Sequence, residues 1–199
     1  MKLSNLILLI IFSMAFFYIQ LWDDQLVTPI YLLLLTIGTI YGVYVKNTNL
    51  THIAGFILLI TLANRLFFET SLVSYIAPEE NKLLQGTIVY GTQLLFSLAI
   101  VLVLIFRVQL SRKLSNSPNI QLTHFDGVFH WLYMYTSLIY LLGLLENIAW
   151  SYFELKSWTL IYDNFEGLIY IAWALCCGAL LTMMILSARE DGTQASRAS

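Results

Sequence analysis

The sequence predicts an all-α, polytopic membrane protein: a six-transmembrane-helix bundle with both termini cytoplasmic. Three observations lead there. The chain is 59% apolar and only 11% charged over 199 residues, far from the balance of a soluble domain. Its apolar residues fall in runs of about 20, the length that a helix rising ~1.5 Å per residue needs to cross ~30 Å of hydrocarbon. The connections between the runs alternate between basic and acidic.

The runs occupy residues 3–21, 27–45, 52–76, 83–106, 125–149 and 164–187. They make one domain, 1–187, followed by a short cytoplasmic tail, 188–199. Little chain remains for a soluble domain, which argues against a kinase, a cyclase or a nucleotide-hydrolysing unit.

The first run opens after Lys2, and Ser13-Met14-Ala15 resembles a signal-peptide cleavage site. The apolar stretch nevertheless continues to Leu21 and stops at Trp22-Asp23-Asp24, as an uncleaved crossing does. The second run ends at Lys46. The third opens on NLTHIAGF and carries Asn64, Arg65 and Glu69 in its far half. The fourth lies between Lys82 and Arg107. After it, RVQLSRKLSNSPNIQLTH is rich in Ser, Asn and basic residues and contains Pro118, a composition that predicts a flexible cytoplasmic loop.

The fifth run opens on QLTHFDGV, which shares Leu, Thr, His and Gly in register with NLTHIAGF. Two explanations stand side by side. A duplicated hairpin would make the third and fourth spans equivalent to the fifth and sixth. Shared capping needs only Thr51 and Thr123 as helix N-caps, with Asp126 completing a capping box. The segment 150–162, WSYFELKSWTLIY, is aromatic and amphipathic, suited to the outer interface. The sixth run contains Cys176 and Cys177, adjacent and about 100° apart on a helix, hence packing residues rather than a disulfide.

Lysine and arginine favour the cytoplasmic side. Lys46, then Arg107, Arg112 and Lys113, then Arg189 and Arg197 follow the even-numbered spans, while acidic residues dominate the other connections. The expected location is therefore the cytoplasmic (inner) membrane, in multi-pass form, with the lipid bilayer as the first partner. Nothing points to nucleic acid.

At ~100° per residue the third span aligns Ala54, Leu58, Thr61, Arg65, Glu69 and Leu72. The fourth aligns Gly86, Tyr90, Gln93 and Ser97, the fifth His130, Tyr133, Ser137, Tyr140 and Asn147, and the sixth Asp163, Glu166, Tyr170, Trp173 and Cys177. Glu146 lies off its stripe. Turning these stripes inward gives an outward-opening polar vestibule lined by Arg65, Glu69, Gln93, His130, Tyr140, Asn147 and Glu166. An ion within a membrane faces a partner or a wet cavity. The plainer reading is that Arg65 and Glu69 neutralise each other as an i,i+4 pair, with Gln93 and Asn147 holding helices together.

No G-x-S-x-G, H-E-x-x-H or phosphate-loop pattern occurs, so no catalytic residue is assigned. His52 and His124 are the only histidines at matched depth, and both start helices at the rim, so no metal and no cofactor is implied. In length and topology the layout resembles the substrate-binding subunits of some vitamin importers. NLILLIIFSMAFF does not clearly supply the small-residue pattern that such subunits carry on their first helix, and no residue role is carried over. The expected function is binding or passage of a small polar or anionic solute, or of protons, between the third and sixth spans. The alternative is a non-catalytic accessory or assembly subunit whose charges pair with another membrane protein.

Overall fold

A computed structural model describes residues 24–70 and 81–198, with side chains for 27–70 and 81–189. The described residues form six helices and no strand: α1 (Asp24–Tyr44), α2 (Thr48–Glu69), α3 (Lys82–Ile105), α4 (Arg107–Leu114), α5 (His124–Tyr152) and α6 (Leu160–Ala198). All but α4 are long and apolar enough to cross a membrane. They correspond to the second to sixth predicted runs; the first, 3–21, lies outside the described residues.

The five long helices close into a ring in chain order. α1 packs on α2, α2 on α3, α3 on α5, α5 on α6, and α6 returns to α1. Between 22% and 44% of the most apolar stretch of each span is buried inside this ring. Leu33, Ile37 and Ile40 of α1, Leu95 and Leu102 of α3, and Leu138 and Leu145 of α5 turn outward. An apolar outer face on every helix is what a bilayer-embedded bundle requires.

Local chemistry sets the chain reversals. Lys46 adopts φ 57°, the left-handed conformation that ends α1, and the Asn47 N–H then bonds the Gly42 carbonyl at 2.9 Å. Asn47 also caps α2, its side-chain oxygen accepting from the Leu50 N–H at 3.1 Å, while its Nδ2 donates to Ser187 Oγ of α6 at 3.0 Å. One asparagine thus joins three helices. Gly42 is required at this turn because a Cβ there would lie 2.8 Å from the Thr51 backbone nitrogen.

The main core lies toward the end of the bundle where α2 and α5 begin. Leu35, Leu50, Ile53, Ile57, Leu104, Phe129 and Leu180 are its buried centre. A smaller group, Ile139, Tyr140 and Ile169, joins α5 to α6 toward the other end. Between the two, Tyr31 stacks on Trp173 with centroids 4.8 Å apart and its hydroxyl bonds that of Tyr133. Cys176 and Cys177 are buried free thiols, the first 3.4 Å from the Tyr31 hydroxyl.

Two segments differ from the sequence reading. The connection after α3 is not wholly a loop, because its first eight residues form α4, which turns Arg107 and Ser111 inward and Arg112 and Lys113 outward. Basic residues in its last turn complement the helix dipole. At the other end of the chain the expected tail continues α6 as helix to Ala198.

Candidate functional site

α3 and α5 run antiparallel and share a polar seam with a constant register. From Arg107 back through Ser97, Tyr90 and Gly86 the steps are ten, seven and four residues; from Asp126 forward through Thr136, Gly143 and Asn147 they are the same. The four- and seven-residue steps approximate whole turns of an α-helix, so one face of α3 meets one face of α5; the ten-residue step is about 80° short of three turns, and on the first side it crosses Phe106 into α4.

At one end of the seam the Arg107 guanidinium is 0% exposed. Its Nε faces Asp126 Oδ1, and its Nη2 donates to Asp126 Oδ2 at 2.7 Å and to the Gln121 carbonyl at 2.6 Å. Nη1 donates to Asn49 Oδ1 at 2.9 Å. Asp126 also accepts from the Thr123 N–H at 2.7 Å and the Thr123 hydroxyl at 2.8 Å. The two similar segments, NLTH and QLTH, thus meet at one cation: the first through the Asn49 side chain, the second through the Gln121 backbone. Asn49 Nδ2 also donates to the Asn119 carbonyl at 3.0 Å, holding the connection against the bundle.

Midway, Ser97 Oγ bonds Thr136 Oγ1 at 2.7 Å and Ser137 Oγ at 2.8 Å. Farther along, a Cβ on Gly143 would lie 2.9 Å from the Tyr90 ring, and one on Gly86 would collide with the Asn147 amide. These glycines let large or polar side chains cross the seam. Asn147 Nδ2 donates to the Leu83 carbonyl at 3.2 Å and also lies 3.4 Å from Thr87 Oγ1.

Beyond Tyr90 the helices surround a cavity of about 1320 Å³ bounded by α3, α5, α6 and the chain leading into α6. Its walls carry Gln93, Asn147 and Glu166 from the expected vestibule, together with Lys82, Glu146 and Asp163. Tyr90, Trp150, Trp158, Tyr162 and Tyr170 supply aromatic surface. Glu146 caps the helix that follows it, its two carboxylate oxygens accepting from the Ile161 and Tyr162 N–H groups at 3.1 and 2.7 Å. A carboxylate on the first turn of α6 answers both the unpaired donors and the dipole. Gln93 Oε1 and Ser151 Oγ are enclosed and have no hydrogen-bond partner among the described residues.

The other expected vestibule residues lie elsewhere. Arg65 Nε and Glu69 Oε1 pair at 2.6 Å on α2, with side chains 40% and 54% exposed, and neither lines the cavity. The buried face of α2 contains Leu50, Ile53, Ala54, Ile57 and Thr61, and Asn64, whose Oδ1 is enclosed, continues it. Arg65 is one residue, about 100°, off that line. α2 also ends at Glu69, where the Thr70 N–H bonds the Leu66 carbonyl at 3.1 Å. The pair therefore sits in the closing turns of the helix, where long side chains reach the interface.

Tyr140 is buried behind the cavity wall, its ring 5.6 Å from Phe165. His130 lies on the other side of Tyr133, toward the Arg107 end, with an enclosed Nδ1 and its ring 6.4 Å from Trp131. Sequence reasoning missed Arg107, which it assigned to a loop; ten residues beyond Ser97 it would lie about 80° from that residue on a continuous helix, so periodicity alone does not add it to the stripe. No family model, no curated protein and no solved structure matches the chain, and its geometry alone carries the functional reading.

Proposed function

We propose that this membrane-embedded protein binds a small polar solute in the cavity between α3, α5 and α6, entering from the outer face of the cytoplasmic membrane. The supporting observation is the pairing of a large cavity, whose mainly apolar wall carries several polar side chains, with two lining residues, Gln93 and Ser151, whose enclosed Oε1 and Oγ have no hydrogen-bond partner among the described residues. A buried carbonyl or hydroxyl without a partner costs ~1–3 kcal/mol, and a bound polar group or water removes that cost. The orientation follows from charge: Lys46, Arg107, Arg112 and Lys113 gather at the opposite end from the cavity, as the cytoplasmic side does. Arg65, the expected source of positive charge for an anion, is outside the lining, so the reading narrows from anionic to polar.

Recognition in this scheme belongs to Gln93 and Asn147 at depth and to the rim residues Asp163 and Glu166. At the opposite end the buried Arg107–Asp126 pair joins α4 to α5, so passage by that route would require the pair to open. The test is stabilisation by ligand. Purified protein in nanodiscs should melt at higher temperature with a polar solute present, since a ligand at 100 times its Kd adds about 2.7 kcal/mol. Gln93→Leu should fold and lose that response. Melting insensitive to every polar solute tried, with lipid chains filling the cavity in an experimental structure, would remove the reading.

A second reading, an accessory subunit, draws on the exposed Arg65–Glu69 pair, which would meet charged residues of another membrane protein. A stoichiometric partner retained in mild detergent and lost on replacing that pair with Met and Leu would favour it.

A further inference from the structure

The connection from α5 to α6 exposes a dense set of large apolar side chains: Tyr152, Phe153, Leu155, Trp158, Leu160 and Tyr162. Leu160 is 74% and Tyr162 70% exposed. Glu154 and Lys156, the charged residues among them, are exposed as well. So dense an apolar patch marks contact with a membrane or with another protein.

Depth decides between the two. One face of α5 is a continuous exposed stripe of Trp131, Met134, Leu138, Leu142, Leu145 and Tyr152, residues that recur at helical spacing. Leucine and methionine fill its middle, and an aromatic ring stands at each end. Trp131 and Tyr152 are ~31 Å apart at ~1.5 Å per residue, the thickness of the hydrocarbon core. Tryptophan and tyrosine favour the two headgroup layers, so Tyr152 marks the boundary at the cavity end.

The connection stays at that boundary instead of projecting from it. Glu154, at φ 54°, reverses the chain. The Leu155 N–H then returns to the Ala149 carbonyl at 3.2 Å, and the Trp158 N–H bonds the Leu155 carbonyl at 3.0 Å. Glu146 fixes the start of α6 beside α5 through the Ile161 and Tyr162 N–H groups. Glu146 precedes Tyr152 by ~9 Å along the helix, so the segment occupies a shallow layer, comparable with the ~5–8 Å of headgroup region on each side of the core.

We propose that the 150–162 segment is an interfacial anchor, its aromatic and aliphatic side chains seated in the lipid headgroup layer at the cavity end while Glu154 and Lys156 reach water. The partner is the bilayer surface. Trp158 and Tyr162 also line the cavity, so the anchor sets the cavity mouth at headgroup level. The seating does not depend on whether the cavity binds a solute.

The test is the depth of single nitroxide labels on the full chain, one chain per nanodisc, attached to a cysteine introduced in turn at Leu138, Tyr152, Leu160 and Lys156. Cys176 and Cys177 are buried and give little background. Oxygen concentrates in lipid and a neutral nickel chelate in water, so the ratio of their collision rates measures depth. Labels at Tyr152 and Leu160 should give ratios below that at Leu138, in mid-span, and severalfold above that at Lys156. If neither labelled variant folds, Trp158→Phe, which keeps an aromatic ring, decides: the fluorescence it removes should be quenched by a nitroxide on the lipid headgroups and little by aqueous iodide. Ratios at Tyr152 and Leu160 equal to that at Lys156, or strong iodide quenching of Trp158, would place the segment in water. Low collision with both reagents would place it under protein. Each of these results would overturn the anchor and leave solute binding standing.

Discussion

Arg107 is fully enclosed among the described residues, and its environment shows how a membrane bundle tolerates such a charge. Asp126 faces it in a two-point contact, and the Asn49 side chain and Gln121 carbonyl accept from two of its remaining three donors. Removing one member of such a pair strands the other, at about 3–5 kcal/mol, whereas removing both with apolar residues of similar volume is far cheaper. Arg107→Met should therefore lower unfolding stability in mixed micelles by that amount. Arg107→Met with Asp126→Leu should recover most of it, short of ~1 kcal/mol for the lost cap on Thr123. A single variant no less stable than the double would show that the pair is hydrated. At the other end of α5, Glu146→Gln weakens the charge on the α6 N-terminus, an effect of ~0.5–1 kcal/mol. Faster hydrogen exchange confined to residues 160–163 is the expected signature.

Helix pairing depends on where side chains are absent as much as on where they bond. A methyl group at Gly42 would press on the Thr51 backbone at 2.8 Å, and backbone cannot rotate aside. Gly42→Ala should force α1 and α2 apart at their tightest approach, costing ~1–3 kcal/mol by overpacking. Gly91, on α3, has nothing within 4 Å of such a methyl. Gly91→Ala should be neutral or stabilising by up to ~1 kcal/mol, since alanine is the better helix former. Denaturation of both variants in the same detergent mixture checks the contrast. Equal effects would mean that the α1–α2 approach is looser than the geometry states.

Across the whole molecule the charges divide by end, and the proposed orientation makes that division testable. Cysteine introduced at Lys156, exposed in the connection into α6, should react with an impermeant thiol reagent in intact cells. One introduced at Ser115, beyond α4, should not. The native Cys176 and Cys177 are buried and give little background. Labelling at Ser115 without labelling at Lys156 would invert the orientation and move the cavity to the cytoplasmic face.

Five helices were legible in the sequence because a span needs only length and hydrophobicity, both local properties. Their turns were legible where one residue decides the backbone, as Thr123 and Asp126 do at the start of α5. The stripe Gly86, Tyr90 and Ser97 was legible as well, because helical periodicity alone puts those residues on one face. What that face meets is not a local property. Arg107 looked like one more charge on a basic loop until α4 continued the helix by two turns and placed it against Asp126, nineteen positions later in the chain. Arg65 and Glu69 looked like the floor of a vestibule until packing on Ile57 and Thr61 set the rotation of α2 and turned them away. Periodicity assigns each helix an angular pattern but no zero of angle. The zero comes from the neighbours, through the glycines that admit them and the buried polar groups that must be paired, and only the assembled bundle contains those neighbours.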